Sequence, residues 1–215
     1  MAQFFSLHPE SPQPRLVRQA ANIIRTGGLI AFPTDSAYAL GGHLGDAPLL
    51  DRIRRLRGVD ERHHFTLLCR DLSEIAIFAR VDNVQYRLLK AATPGPYTFI
   101  LEGTRELPRR LLHPKRKTIG IRVPEHPVVA ALLEELGEPL LSSTLLLPGE
   151  DMPLTDAGEI RERLEKYLDL VIEAGTCRPE ASTVIDLSSG APVLLRAGRG
   201  RLEPFGLTAD RGRDV

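Results

Sequence analysis

Tryptophan is absent from the 215 residues, and four Tyr and seven Phe make up the aromatics. Reading single-stranded nucleic acid needs a row of aromatic faces on which bases stack, so this scarcity argues against that class. Two cysteines, Cys69 and Cys177, are too few for a disulfide framework, and their separation matches no zinc spacing. Uncharged stretches such as Gly27 to Thr34 and Leu140 to Gly149 are short, and none approaches the roughly 18 to 20 apolar residues that cross a bilayer. The amino terminus, MAQFFSLHPE, shows no basic segment leading into a long apolar run. The expectation is therefore a soluble, cytoplasmic protein without a secretory signal or membrane partner. Neither a P-loop nor a GxGxxG fingerprint is present, so any nucleotide site must be built by other means.

What is there is a globular composition, 42% hydrophobic and 26% charged, with 28 basic and 28 acidic residues that cancel. The cancellation hides uneven placement. Arg52, Arg54, Arg55, Arg57 and Arg62 form one basic stretch, and Arg105, Arg109, Arg110, Lys115, Arg116, Lys117 and Arg122 form another, so a neutral total can still present a positive face.

Helical periodicity predicts helices over 15–25, 47–56, 72–78, 84–91, 128–136 and 157–167. Asp71 with Glu74 three positions later reads as an Asp variant of the capping box. Short runs rich in Leu, Ile and Val predict strands over 29–32, 66–69, 97–101, 118–123, 140–147, 168–172, 183–187 and 193–196. Helices and strands interleave throughout, which points to a mixed α/β (α+β) fold around one twisted sheet with flanking helices. Residues 1–206 read as one domain, and 207–215 as a polar tail that frays.

Several strands end in polar islands. In PTDSAYALGG, Thr34, Asp35, Ser36 and Tyr38 interrupt an apolar passage; taken alone, an ordinary turn, with Gly41 and Gly42 allowing positive φ, is the first reading of them, ahead of a binding site. In RIRRLRG, a solvated helix end and an anion site with guanidinium forks both stay open. Arg55 and Arg57 are two positions apart and share a helix face only if Arg57 turns back at the helix end. TPGPYTFIL joins a rigid turn to a strand. LLSSTLLLPG carries Ser142, Ser143 and Thr144 inside an apolar strand, where each hydroxyl needs a partner or costs about 1 to 3 kcal/mol. STVIDL and VLLRAG read as a hairpin with one polar end. Adjacent His63 and His64 read as solvent-facing loop residues before acid, base or phosphate roles. Taken together, the islands suggest one cleft for an oxygen-rich anion.

In order and spacing, PTDSAYALG, RLRG, PGPYTFIL, IGIRVPEHP, the hydroxyl strand, STVID and LLRAG resemble the YrdC/YciO family, and its YciO branch in particular, from about residue 3 to about residue 205. The resemblance implies a single YrdC-like domain with a large concave basic cavity. It also implies synthesis of threonylcarbamoyl-AMP and pyrophosphate from ATP, L-threonine and bicarbonate for tRNA modification, with Mg²⁺ accompanying ATP and no metal motif in the protein. Double-stranded RNA or tRNA binding is the alternative that goes with the fold. Carried over by position, Thr34, Tyr38, Arg122 and Thr144 become substrate contacts, and Arg55 and Arg57 stand at the family's catalytic Lys-x-Arg. Pro94, Gly95, Thr98, Ser142, Ser182, Thr183 and Arg196 become nucleotide contacts. Two departures matter: Arg55 replaces the lysine, and Leu146 stands where the family's Ser-x-Asn has its asparagine. Leucine can neither donate nor accept a hydrogen bond there, so weaker chemistry is expected.

Overall fold

The computed structural model describes residues 1–208. Ten strands form one mixed sheet: β1 (Gln3–Ser6), β2 (Ile30–Phe32), β3 (Ala39–His43), β4 (Thr66–Leu68), β5 (Tyr97–Glu102), β6 (Thr118–Arg122), β7 (Leu140–Thr144), β8 (Leu170–Glu173), β9 (Thr183–Asp186) and β10 (Val193–Arg196). Their spatial order is β1-β8-β2-β3-β7-β4-β6-β5-β9-β10. The described residues form six α-helices, α1 (Pro14–Arg25), α2 (Ala47–Arg57), α3 (Leu72–Phe78), α4 (Asn83–Ala92), α5 (Pro127–Leu136) and α6 (Ala157–Leu164). Among the described residues no helix is long and apolar enough to cross a membrane.

The side-chain alternation of strands divides the core in two. Along β2, Ile30 and Phe32 pack with Val17 and Ile24 of α1 and Val129 and Leu132 of α5. Leu29 and Ala31 point the other way, to Leu50 and Ile53 of α2 and Ile160 of α6. The second face continues under β5 and β6, where Phe99, Ile119 and Ile121 join Ile75 of α3 and Leu89 of α4. On the first face the pattern breaks: Thr98 and Ile100 of β5, Arg122 of β6 and Val184 of β9 belong to neither core cluster. Among the described residues no helix seals that half of the sheet, and a hollow results.

Two strands escape the sequence pattern. β1 is a short edge, with Gln3 and Ser6 exposed and Phe4 and Phe5 half-buried. β3 lies inside the first polar island, where Gly41 and Gly42 hid it. Neither glycine has the positive φ the turn reading expects. They permit close approach instead: a Cβ on Gly41 would lie 2.6 Å from the Leu141 carbonyl oxygen, and one on Gly42 2.8 Å from that of Gly28. The hydroxyl strand stops at Thr144 rather than 147, and the last helix at Leu164 rather than 167. The reciprocal capping box is found at Asp82 and Gln85 of α4. At α3, Asp71 accepts from the Glu74 N–H, and the Glu74 carboxylate takes the Arg70 N–H. Of the tail, Leu207 and Thr208 are irregular, and 209–215 lie outside the described residues.

Candidate functional site

The open half of the sheet forms a cavity of about 290 Å³. Thr66 and Leu68 of β4, Thr98 and Ile100 of β5, Arg122 of β6 and Val184 of β9 lie along its strands. Gly120 of β6 lies between Thr66 and Thr98, where a Cβ would come within 2.9 Å of Thr66 Oγ1 and 3.3 Å of Thr98 Cγ2. Thr34 and Ser36 enter from the loop after β2, Ser142, Ser143 and Thr144 from β7, and Ser182 and Arg196 from the β9–β10 hairpin. Arg57, Arg62, His63 and His64 line it from the end of α2 and the loop that follows. The lining includes four arginines and no carboxylate. Such a surface prefers anions, and its hydroxyls add donors for their oxygens.

Arg57 reaches the cavity because α2 ends there: Gly58 adopts a left-handed φ of 63° and accepts the chain's turn. Its Nε donates to the Leu146 carbonyl at 3.0 Å and its Nη1 to Ser143 Oγ at 2.6 Å. Nη1 also lies 3.2 Å from His63 Nε2, which is 3.1 Å from Ser143 Oγ. Burial, followed by the charge of Arg196, lowers the Arg57 pKa to about 10, which still leaves it a cation at neutral pH. Burial, followed by Arg57, lowers His63 to about 4, so its imidazole is neutral there. His64 is likewise held at about 4, by burial and then His113 and Arg116. The two histidines are therefore cavity residues and not solvent-facing ones, a placement that composition alone pointed away from.

Arg122 is buried and shares its Nη2 between the Asp35 carboxylate and Ser36 Oγ, the latter at 2.9 Å. Asp35 also accepts the Glu125 N–H at 3.1 Å, and its backbone carbonyl takes a bond from Arg199. The Arg122 Nε is buried with no partner among the described residues. Burial lowers the Arg122 pKa, against the pull of Asp35. Arg196 wraps the Ser182 carbonyl, with Nη2 at 2.9 Å and Nε at 3.2 Å, and Ser182 Oγ lies 2.7 Å from Thr98 Oγ1.

Of the residues expected at the site, Thr34, Tyr38, Arg57, Thr98, Arg122, Ser142, Thr144, Ser182 and Arg196 meet at this cavity. Tyr38 contributes without its hydroxyl, which donates to the Ile172 carbonyl at 3.2 Å; burial raises its pKa. Four residues are not brought there. Arg55 is exposed and lines a different pocket with Arg52, Leu147 and Tyr167, because two helical positions turn the side chain by about 200°. Thr183 follows strand alternation away from Ser182 and donates to the Gly200 carbonyl at 2.7 Å. Pro94 is exposed on another pocket, and Gly95 is a backbone element, its N–H bound to the Val123 carbonyl at 2.9 Å. Leu146 serves through its carbonyl, and its side chain is not among the lining. The residues that motif reasoning left out include Asp35, Ser36, Arg62, His63, His64, Thr66 and Ser143. A hint for the first was present, because an acidic residue inside an apolar passage needs a cation.

Residues 22–198 match the model of the Sua5/YciO/YrdC family, described as telomere recombination. YciO of Escherichia coli strain K12 is 54% identical over 205 residues, 95% of this chain and 100% of that protein. The crystal structure of E. coli YciO overlays with a TM-score of 0.93, covering 95% of this chain and 100% of that one. The threonylcarbamoyl-AMP synthase of Halorhodospira halophila is 30% identical over 185 residues, covering 85% of this chain and 96% of the relative. P. abyssi Sua5 complexed with L-threonine overlays with a TM-score of 0.83 at 28% identity, covering 91% of this chain and 57% of that one. With the family model spanning most of its length and the same fold in these relatives, the chain belongs to the Sua5/YciO/YrdC family.

Proposed function

We propose that the cavity binds ATP, L-threonine and bicarbonate and joins them as threonylcarbamoyl-AMP, releasing pyrophosphate. The observation that carries this reading is the lining itself, with four arginines, a wealth of hydroxyls and no carboxylate to repel a polyphosphate. Relatives named threonylcarbamoyl-AMP synthase, and a relative of the same fold solved with L-threonine, support the choice of substrates. The chemistry asks little covalent help. A carbamate made from the amine and bicarbonate attacks the α-phosphorus, and the guanidiniums of Arg57, Arg122 and Arg196 hold the charge that develops on the departing pyrophosphate. Mg²⁺ enters as part of the ATP substrate. Its ligands there would be phosphate oxygens and water. With Leu146 offering a carbonyl to Arg57 and no side-chain amide to the substrate, the enzyme is expected to be slow. The product would serve adenosine modification in tRNA.

The test is threonine-dependent pyrophosphate release from MgATP and bicarbonate, with threonylcarbamoyl-AMP identified by mass. Release that is the same with and without threonine would refute the reading.

A second reading, binding of double-stranded RNA or tRNA, is favoured by one observation. Arg105, Arg109, Arg110, Lys115, Arg116 and Lys117 are all exposed, whereas Arg122, in the same sequence stretch, turns inward. Phosphate contacts by these side chains release counterions, so duplex affinity should fall steeply with salt. Affinity indifferent to salt in a filter-binding titration would count against this surface.

A further inference from the structure

An amine that is to bond to carbon must first surrender a proton, because at neutral pH it arrives mostly as ammonium. The cavity offers few groups able to take it. There is no carboxylate in the lining, a guanidinium has no lone pair free to take a proton, and the Tyr38 hydroxyl is spent on a backbone carbonyl. His63 and His64 remain. His64 is engaged elsewhere, its Nε2 at 3.1 Å from Thr118 Oγ1 and its ring stacked on His113 at 4.9 Å.

His63 is built differently. Its Nε2 faces Ser143 Oγ at 3.1 Å, and Arg57 Nη1 binds that same oxygen at 2.6 Å. A hydroxyl has one donor and two acceptor positions. Ser143 can therefore accept from Arg57, donate to His63, and still offer a lone pair to a substrate N–H. The Phe65 ring, edge-on at 5.6 Å between centroids, adds an apolar wall.

We propose that His63 is the proton acceptor of this cavity, receiving the ammonium proton through the Ser143 hydroxyl, with Arg57 as the residue that positions both. The inference deepens the synthase reading and rests on it. The ammonium passes one proton to Ser143 Oγ as the hydroxyl proton moves to Nε2. The freed nitrogen pair forms the N–C bond to bicarbonate as its C–OH bond breaks. The departing hydroxide takes the imidazolium proton and becomes water. The nitrogen then loses its second proton along the same path, and from His63 it goes to solvent, leaving a carbamate.

The charged neighbours make this acceptor respond to the substrate. Arg57 from α2, Arg196 from β10 and His64 from its own loop all oppose its protonation, and only Asp60 favours it. An anion seated on those arginines offsets their charge, so its arrival raises the affinity of His63 for a proton.

The full-length protein, titrated with MgATP by calorimetry in two mildly acidic buffers of different ionisation heat, should take up a fraction of a proton on binding. His63→Gln, which keeps an acceptor for Arg57 but does not titrate, should bind MgATP without that uptake, and His64→Gln should retain it. In pyrophosphate release, the unmodified protein should lose activity as pH falls through the raised His63 pKa. His63→Gln should be slower by about 100- to 10,000-fold and lack this acid limb. Equal proton uptake by the His63→Gln and unmodified proteins would overturn the assignment, as would an unchanged acid limb. Proton uptake that depends on His63, without threonine-dependent pyrophosphate, would refute the synthase reading and the ammonium step while keeping His63 as the group that gains a proton when MgATP binds. Absence of MgATP binding would refute both.

Discussion

Arg57→Ala is expected to slow threonine-dependent pyrophosphate release by about 100- to 1000-fold, the usual cost of removing one donor aimed at developing charge. Three arrangements depend on this side chain. It carries positive charge into the cavity, spans the Leu146 carbonyl and Ser143 Oγ, and meets His63 Nε2. Arg57→Lys restores the charge but not the planar fork, so a compact ammonium can satisfy one of these partners and not all of them. Its rate should fall between those of Arg57→Ala and the unmodified protein. Arg55→Ala is the contrast. Arg55 is exposed on the opposite side of α2, its Nε donating only to the Asp51 carbonyl, so its removal should change the rate by less than about tenfold and leave stability within about 0.5 kcal/mol. Initial rates of the three variants decide the matter; equal losses at Arg55 and Arg57 would place both in one site after all.

Asp35→Ala should cost about 3 kcal/mol of unfolding free energy, the low end of the range for breaking a buried ion pair, because cavity water can reach the guanidinium left behind. Asp35 and Arg122 are both buried, at 7% and 8% side-chain exposure, and the Arg122 Nε already lacks a partner among the described residues. The substitution also frees the Glu125 N–H. Asp35→Asn should cost less, since an amide oxygen still accepts one N–H. Without the carboxylate, the Arg122 charge faces the cavity uncompensated, so inorganic pyrophosphate should stabilise Asp35→Ala more than the unmodified protein. Urea denaturation with and without pyrophosphate measures both effects. Superimposable curves would show that the pair contributes nothing to stability.

The fold was legible where its cause is local. The apolar run Leu29 to Phe32 identifies a strand, which the structure buries on both faces, and Asp71 is readable as the cap of the helix it precedes, a role that Asp46, Asp82 and Asp156 also fill in the structure. β3 was not legible, because Gly41 and Gly42 resemble a turn until the Leu141 carbonyl of β7 and the Gly28 carbonyl, just before β2, show why no side chain fits. The hydroxyls of Ser142, Ser143 and Thr144 advertised a polar environment without saying whose. Ser143 turned out to serve Arg57 and His63, and Ser142 donates to the Thr66 carbonyl at 3.2 Å.

By itself, the sequence determined the alternation of strands and helices, the family likeness, and the presence of more arginines and hydroxyls at strand ends than turns require. Only the tertiary structure decided that Arg57 enters the cavity while Arg55 leaves it, that Ser182 faces inward while Thr183 does not, and that Asp35 holds Arg122. The reason is geometric. Periodicity and capping are settled within a few residues, whereas the direction of one side chain into a shared hollow depends on the order of ten strands and on where a helix happens to end.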